Sequence, residues 1–180
     1  MKVLFVNACI REKSRTQKMC NSYLSRFNPE EIEVVDLNLL SILPLTRETL
    51  DKRDEDIQKK DLKSADYDLA KQFARADRIV VGAPYWDFFC PAVLKAYFEQ
   101  VCVNGIAFGY PGGVPTGMCN AKELVYITTA GGYIPKESSI EFYISELCQL
   151  FGIPEFKFYK AEGLDIYGND AAEIVDKFEF

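Results

Sequence analysis

Short apolar strand patterns alternate with amphipathic helix patterns along the chain, and this alternation constrains the fold most. Three strand patterns lie at Lys2–Val6, Arg78–Ala83 and Glu123–Thr129. The near-continuous apolar run at Arg78–Ala83 is typical of a parallel sheet, in which helices cover both faces. The alternation therefore predicts an α/β fold with a central parallel sheet and right-handed crossovers.

Two further segments complete the predicted sheet. Ile32–Leu37 forms the second strand, and period-two alternation at Phe156–Tyr159, with Lys157 outward, predicts a fifth strand at the edge. Five parallel strands fit the order 2-1-3-4-5 with helices on both faces. In such sheets ligands bind beyond the carboxyl ends of the strands, where the order reverses between strands 1 and 3. The loops after strands 1, 3 and 4 are therefore the candidate site.

Helices are predicted in the segments between the strands. Apolar residues at helical spacing, or short amphipathic segments, mark residues 15–27, 62–76, 91–101, 138–151 and 171–178. Residues 38–61 are less regular and predict a loop and a short helix with a possible N-cap at Thr46. Residues 104–120 hold five glycines and two prolines without periodicity. So long a stretch inside a compact domain is usually functional.

Composition excludes several classes of protein. A chain of 180 residues fits one domain, 1–180. A net charge of -6 argues against nucleic-acid binding, and the lack of a long apolar run or signal peptide predicts a cytoplasmic protein without a membrane partner. No histidine is present, and the six cysteines form no C-x-x-C pair. We therefore expect reduced thiols, no metal site, and chemistry supplied by a bound cofactor.

The loop after strand 1 offers donors for an anion at the start of a helix. It contains Arg11, Ser14, Arg15 and Thr16. Helix N-termini attract anions, and hydroxyl and guanidinium groups add donors, so a phosphate would fit here. The alternative is that Ser14 only caps the helix while the arginines are solvated. The loop lacks the Walker and G-x-G-x-x-G patterns, which disfavours nucleoside triphosphates and an ordinary dinucleotide site.

The other two loops could line a planar ring. The loop after strand 3 begins Pro84, Tyr85, Trp86, Asp87, Phe88. Its aromatic and peptide groups could flank a ring system, or they could merely cover the edge of the sheet. The loop after strand 4 reads Thr129, Ala130, Gly131, Gly132. The two glycines would allow a ligand to approach the backbone closely, although alone they would indicate only a turn.

Taken together, these loops resemble the FMN-dependent NAD(P)H:quinone oxidoreductase and azoreductase family, a branch of the flavodoxin-like flavoproteins. The resemblance is carried by residues 14–16, 84–88, 91–97, 105–110 and 128–132, in the family's order. It implies a flavodoxin-like three-layer sandwich. It also implies that Ser14, Arg15 and Thr16 hold the FMN phosphate, that Tyr85–Phe88 flank the isoalloxazine, and that Gly131 and Gly132 approach its other edge.

The resemblance implies an activity as well. Hydride would pass from NADH or NADPH to FMN and then to a quinone-like or azo acceptor, in a ping-pong sequence. Family members are homodimers, so the loop with Phe108 and Tyr110 would cover a flavin across the interface, next to a substrate pocket that includes Tyr133. The rival function is a flavodoxin-type single-electron carrier with protein partners. The acidic charge permits a carrier, but the long glycine- and proline-rich loop favours a small-molecule substrate.

The sequence departs from the family pattern at two places. Cys9-Ile10 stands where Ser-Pro is common, and Trp86-Asp87 stands where Tyr-Asn is usual. The Asp87 carboxylate would lower the flavin potential, or it would instead cap the helix that starts near Pro91 or pair with a neighbouring base. Cys90, beside the same loop, could be redox-active, but a small buried thiol is the favoured interpretation.

Overall fold

The central sheet has the strand order that the sequence predicts. A computed structural model describes residues 1–180, and its five-stranded parallel sheet has the order β2-β1-β3-β6-β7. The strands are β1 (Val3–Asn7), β2 (Ile32–Asp36), β3 (Arg78–Gly82), β6 (Glu123–Thr129) and β7 (Glu155–Ala161). β6 and β7 are the fourth and fifth predicted strands. The stretch at 104–120 adds a small antiparallel pair, β4 (Phe108–Gly109) and β5 (Thr116–Gly117), which the sequence did not predict.

The register brings several strand ends to one edge. Asn7, the last residue of β1, lies opposite Asp36 of β2 and Gly82 of β3. On the other side of β3, Gly82 lies opposite Ile127 of β6. The loops that follow β1, β3 and β6 therefore leave the sheet side by side, which is the arrangement expected for a ligand site in a parallel sheet.

Six α-helices surround the sheet. They are α1 (Arg15–Leu24), α2 (Arg47–Lys59), α3 (Asp68–Arg75), α4 (Ala92–Val101), α5 (Ser139–Phe151) and α6 (Ala171–Asp176). None of them combines the length and the apolar character that a bilayer crossing requires. Thr46 is the N-cap of α2, as predicted, but this helix has 13 residues and is longer than expected. The predicted helix at 62–76 is shorter, because the Ser64 hydroxyl accepts from the Asp66 N–H and starts a separate 3-10 turn.

Two apolar cores lie on opposite faces of the sheet and confirm the three-layer arrangement. Leu4 and Val6 of β1 face the larger core, together with α3, α4 and α5. Val3 and Phe5 alternate with them and face the smaller core under α1 and α6. This alternation explains why β1 is apolar at every position from Val3 to Val6.

The glycine- and proline-rich stretch is fixed to the end of α5. Cys119 donates its backbone N–H to the Phe151 carbonyl oxygen at 3.2 Å. A Cβ atom on Gly117 would lie 2.0 Å from the backbone nitrogen of Gly152, the residue that ends α5. Two backbones thus meet at a distance that only glycine permits.

Segment 38–61 is held in place by a buried arginine of α2. Arg53 Nη1 donates to the Glu99 carbonyl oxygen at 3.1 Å, and Nη2 donates to Gln100 Oε1 at 3.2 Å. Gln100 in turn donates to the Leu43 carbonyl oxygen at 3.1 Å. A cation at the last turn of α4 is favoured by the helix dipole and satisfies a carbonyl group there.

Candidate functional site

A pocket opens at the carboxyl ends of β1, β3 and β6. Its volume is about 470 Å³. Fourteen residues line it: Ile10, Arg11, Lys13, Ser14, Arg15, Thr16, Pro84, Tyr85, Trp86, Thr129, Ala130, Gly131, Leu164 and Asp165. The three predicted loops therefore meet in one cavity. A fourth segment, which follows β7, joins them and was not foreseen from the sequence.

The structure does not bring every predicted site residue into this pocket. The residues outside its lining are Asp87, Phe88, Phe108, Tyr110, Gly132 and Tyr133. Asp87 instead lines a neighbouring, more apolar groove with Cys90 and Lys95. Tyr110 and Tyr133 are largely exposed, with 53% and 70% of their surfaces accessible, so neither belongs to an enclosed substrate cavity within one chain.

One end of the pocket is the N-terminus of α1. Ser14 is its N-cap, and the Ser14 hydroxyl accepts from the Gln17 N–H at 3.2 Å. This contact confirms the capping interpretation, and a hydroxyl that accepts one hydrogen bond can still donate its hydrogen to a second partner. The backbone N–H groups of Arg15 and Thr16 donate to no protein acceptor, as expected for the first turn of a helix. With Arg11 and Lys13 on the same wall, this end fits an anion.

Polar side chains behind the loop fix its start. Asn7 Oδ1 accepts from the Cys9 N–H at 3.0 Å, and Asn7 Nδ2 donates to Asp36 Oδ2 at 3.2 Å. Asn38 Nδ2 donates to the Cys9 carbonyl oxygen at 3.1 Å. This group was not predicted from the sequence, although an Asn at the end of one strand and an Asp at the end of its neighbour were a signal for it.

Direct hydrogen bonds connect the three loops. Thr16 Oγ1 and Thr129 Oγ1 lie 2.7 Å apart, and both residues are buried. The Tyr85 N–H donates to the Thr129 carbonyl oxygen at 3.0 Å. The Arg11 guanidinium lies over the Trp86 ring, 5.6 Å from its centroid. A ligand in the pocket would thus touch walls that are already held together.

A strained turn stands at the aromatic side of the pocket. Trp86 and Phe89 exchange backbone hydrogen bonds of 3.2 and 2.7 Å across Asp87 and Phe88. Asp87 has φ of 50° and Phe88 has φ of 63°. Two central residues with positive φ make a type I′ turn, which normally takes Asn-Gly. Backbone strain of this kind is concentrated at functional sites.

The structure decides between some interpretations of this loop. Pro91 is the N-cap of α4, and no side chain caps that helix. Asp87 forms no salt bridge, so the capping and pairing alternatives for Asp87 are both wrong. Cys90 is buried, and burial raises the pKa of its thiol to about 12, which supports the interpretation of an unreactive thiol.

Replacing Phe88 by glycine should leave the fold at least as stable as replacing it by alanine. Both variants remove the aromatic ring, whose surface is 74% exposed, but only glycine adopts a φ of 63° without steric cost. We expect Phe88→Gly to exceed Phe88→Ala by about 1 kcal/mol in free energy of unfolding, measured by urea denaturation. A less stable glycine variant would show that the turn is not strained.

A carboxylate lies at the mouth of the pocket. Asp165 Oδ1 accepts from Arg15 Nη1 at 2.7 Å, and the Asp165 N–H donates to the Gly131 carbonyl oxygen at 2.9 Å. A Cβ atom on Gly131 would lie 2.3 Å from Asp165 Oδ2. Gly131 therefore makes room for Asp165, a role that the glycine pair alone did not reveal. Asp165 was not predicted: it follows the fifth predicted strand, but no pattern in the sequence pairs it with Arg15.

Comparison with protein families and curated proteins places the chain among known flavoproteins. Residues 1–179 match a family model described as having a flavodoxin-like fold. An FMN-dependent NADH:quinone oxidoreductase of Clostridium perfringens is 33% identical over 192 residues, covering 98% of this chain and 93% of that protein. A protein of the same name from Clostridium beijerinckii is 34% identical, with coverage of 98% and 93%.

Solved structures share the fold at lower identity. An azoreductase of Bacillus anthracis superposes with a TM-score of 0.82 at 22% identity, covering 98% of this chain and 93% of that chain. An FMN-dependent NADH-azoreductase of Bacillus anthracis, solved in complex with FMN, gives a TM-score of 0.77 at 18% identity, with the same coverage. At these identities the match concerns the fold alone.

Proposed function

The chain belongs to the family of flavodoxin-like FMN-dependent NADH:quinone oxidoreductases, and from this membership we propose that it binds FMN and passes hydride from NADH or NADPH to a quinone-like or azo acceptor. The observation that carries the proposal is the composition of the pocket. Its lining combines donors for an anion at the start of α1 with Tyr85 and Trp86 of the aromatic loop after β3. FMN has two parts that match these residues, a phosphate group and a planar ring.

The phosphate end suits FMN by charge and by hydrogen bonding. Arg11, Lys13 and Arg15 supply positive charge, and Ser14 supplies a hydroxyl. The N–H groups of Arg15 and Thr16 are available at the positive end of the helix dipole. We propose that these five residues hold the phosphate.

The ring end offers peptide groups and flat side chains. The N–H groups of Asp87 and Phe88 are not used within the turn, whose hydrogen bonds are made by Trp86 and Phe89. Pro84, Tyr85 and Trp86 line the pocket beside Thr129, Ala130 and Gly131 of the neighbouring loop. We propose that the isoalloxazine lies against these two loops, with Gly132 beside its edge, while Asp87 and Phe88 contribute peptide groups and not side chains.

When bound, FMN supplies the hydride acceptor and donor, so the protein need not provide an acid, base or nucleophile. The task of this chain is to hold two planar reactants in turn against one surface and to keep water away. Because both would use the same side of the pocket, the nucleotide must leave before the acceptor enters. Ping-pong kinetics follow from this arrangement.

Anaerobic spectroscopy tests the proposal. We expect the purified protein to bind one FMN per chain, NADH or NADPH to bleach the flavin absorption, and a quinone to restore it. Initial rates should give parallel lines in double-reciprocal plots. A flavin that neither nucleotide bleaches would contradict the oxidoreductase function and favour a single-electron carrier.

We also propose that the protein works as a homodimer. The stretch between β4 and β5 exposes apolar side chains, with 53% of Tyr110 and 61% of Val114 accessible. Phe108 packs edge-to-face on Tyr110, with ring centroids 5.9 Å apart. Exposed apolar groups in one stretch favour contact with a second chain. Light scattering at micromolar concentration should give twice the mass of one chain.

Replacing Asp165 by asparagine should tighten FMN binding about two- to fivefold, as expected when one partially exposed charge pair is removed. The carboxylate holds Arg15 at 2.7 Å and places a negative charge at the mouth of the pocket, where FMN brings its phosphate. Fluorescence titration should show the gain for FMN and no change for riboflavin, which lacks the phosphate. Weaker FMN binding by Asp165→Asn would mean that Asp165 holds Arg15 in its productive position.

A further inference from the structure

Two thiols meet beneath the first loop of the pocket. Cys9 follows β1, and its Sγ lies 3.6 Å from the carbonyl oxygen of Gly82, the last residue of β3. Cys20, on the second turn of α1, approaches the same residue, because a Cβ atom on Gly82 would lie 2.5 Å from Cys20 Sγ. Both sulphur atoms therefore lie beside Gly82, and the missing side chain of Gly82 leaves room for Cys20.

The environments of these thiols differ from those of the other four. A hydrogen bond from Cys20 lowers the pKa of Cys9 in spite of its burial, and a hydrogen bond from Ser14 lowers it further by a smaller amount. Burial raises the pKa of Cys20 well above its usual value. Burial also raises the pKa of the four remaining thiols: Cys90, Cys102, Cys119 and Cys148. Since the thiolate is the form that reacts with oxidants, the lowered pKa favours Cys9 over the other five cysteines as the site of oxidation, and Cys20 lies beside it.

We propose that Cys9 and Cys20 form a reversible disulfide when the protein meets hydrogen peroxide, and that this bond weakens FMN binding. The effect on FMN rests on the proposed function, whereas formation of the disulfide does not.

Oxidation of the two thiols to a disulfide needs hydrogen peroxide and no other reactant. The Cys9 thiolate attacks one oxygen of hydrogen peroxide, which gives a sulfenic acid and releases the other oxygen as hydroxide. Cys20 sulphur then attacks Cys9 sulphur, and the second oxygen leaves as hydroxide. With the two thiol protons, the products are one disulfide and two water molecules. Air oxidation of reduced flavin yields hydrogen peroxide, so the proposed activity would supply the oxidant locally.

The disulfide would disturb the phosphate end of the pocket. Its sulphur atoms must come to about 2.05 Å, closer than two thiols can approach without a bond. The Cys9 backbone is held by Asn7 and Asn38, so the movement falls on its side chain and on α1. Hydrogen bonding by Ser14 is one of the influences that lower the pKa of Cys9, and the same Ser14 hydroxyl caps α1 in the lining of the pocket. We expect loss of this one donor to a charged group to raise the Kd for FMN about tenfold.

Peptide mapping tests disulfide formation without any cofactor. The protein is treated with hydrogen peroxide, its free thiols are blocked, and trypsin is added without reductant. Cys9 then lies in peptide 3–11 and Cys20 in peptide 19–26. We expect these two peptides to be joined in wild type and in the control Cys148→Ala, and to separate on adding dithiothreitol. Oxidation of Cys9 to sulfinic acid without joined peptides would overturn the proposal.

Fluorescence titration with FMN tests whether the disulfide weakens FMN binding. Peroxide should raise the Kd for wild type and for Cys148→Ala, and dithiothreitol should restore it, while Cys20→Ala should not respond to peroxide. Joined peptides with an unchanged Kd would overturn the effect on FMN. Failure of the reduced protein to bind FMN would refute the proposed function instead, and the mapping result would stand independently.

Discussion

Replacing Gly117 by alanine is expected to lower the melting temperature by about 10 °C or more, or to prevent folding. The added Cβ would lie 2.0 Å from Gly152 N and 2.1 Å from the Phe151 carbonyl carbon. Both are backbone atoms at the end of α5, so no side-chain rotation relieves the contact. The two segments would have to separate, which also breaks the hydrogen bond from Cys119 to Phe151. Circular dichroism during heating measures the effect.

Gly132→Ala is the matched control for this prediction. Its Cβ would meet no atom within 4 Å, and its φ lies outside the positive range. We expect its melting temperature to stay within about 2 °C of wild type, as for most substitutions that touch no packed atoms. If Gly117→Ala had the same melting temperature as Gly132→Ala, the close contact between residues 104–120 and the end of α5 would not exist in solution.

Replacing Ser14 and Thr16 together by alanine is expected to weaken FMN binding about 10- to 100-fold, because the Ser14 hydroxyl no longer donates to the charged phosphate and the hydrogen bond between Thr16 and Thr129 is lost. Riboflavin binding should fall only about two- to threefold, since riboflavin lacks the phosphate. Titration of the apoprotein with each flavin measures both constants. Equal loss for the two flavins would place the phosphate elsewhere.

Thr16 requires a control for stability. Its buried hydroxyl shares a hydrogen bond with Thr129, so its removal also breaks a contact between the start of α1 and the end of β6. The single variant Ser14→Ala keeps this bond. Its dissociation constant for FMN should still rise more than its dissociation constant for riboflavin, each compared with wild type. Ser14→Ala also loses the N-cap, which should cost about 1 kcal/mol of stability.

The sheet was predictable because burial on two faces leaves a strong trace in the sequence. The strand Glu123–Thr129 is buried at every position and apolar at its centre, from Leu124 to Ile127, and its predicted bounds are those observed. The helix predicted at 62–76 failed at its start, where local hydrogen bonding by Ser64 competes with the helix and apolar spacing gives no warning. Element type was thus easier to predict than element ends.

Parts of the candidate site could not be predicted from sequence for physical reasons. The turn at Asp87-Phe88 has positive φ at both residues without glycine or asparagine, so its composition does not indicate its type. Asp165 enters the pocket from a segment about 150 positions after Arg15, and only the register of the sheet brings the two together. The contact between Cys9 and Cys20 likewise depends on how α1 packs on β3, since cysteine spacing alone does not reveal such a pair.

The buried contact between α2 and α4 has a consequence for how the protein responds to its medium. Arginine side chains remain charged throughout the physiological pH range, and the acceptors of Arg53 are carbonyl and amide oxygens, which do not titrate. Exposed pairs such as Lys52 with Asp66 depend on carboxylate ionisation and are screened by salt. Segment 38–61 is therefore attached by a contact that neither mild acid nor high ionic strength loosens, even where the surface charge pairs around it dissociate.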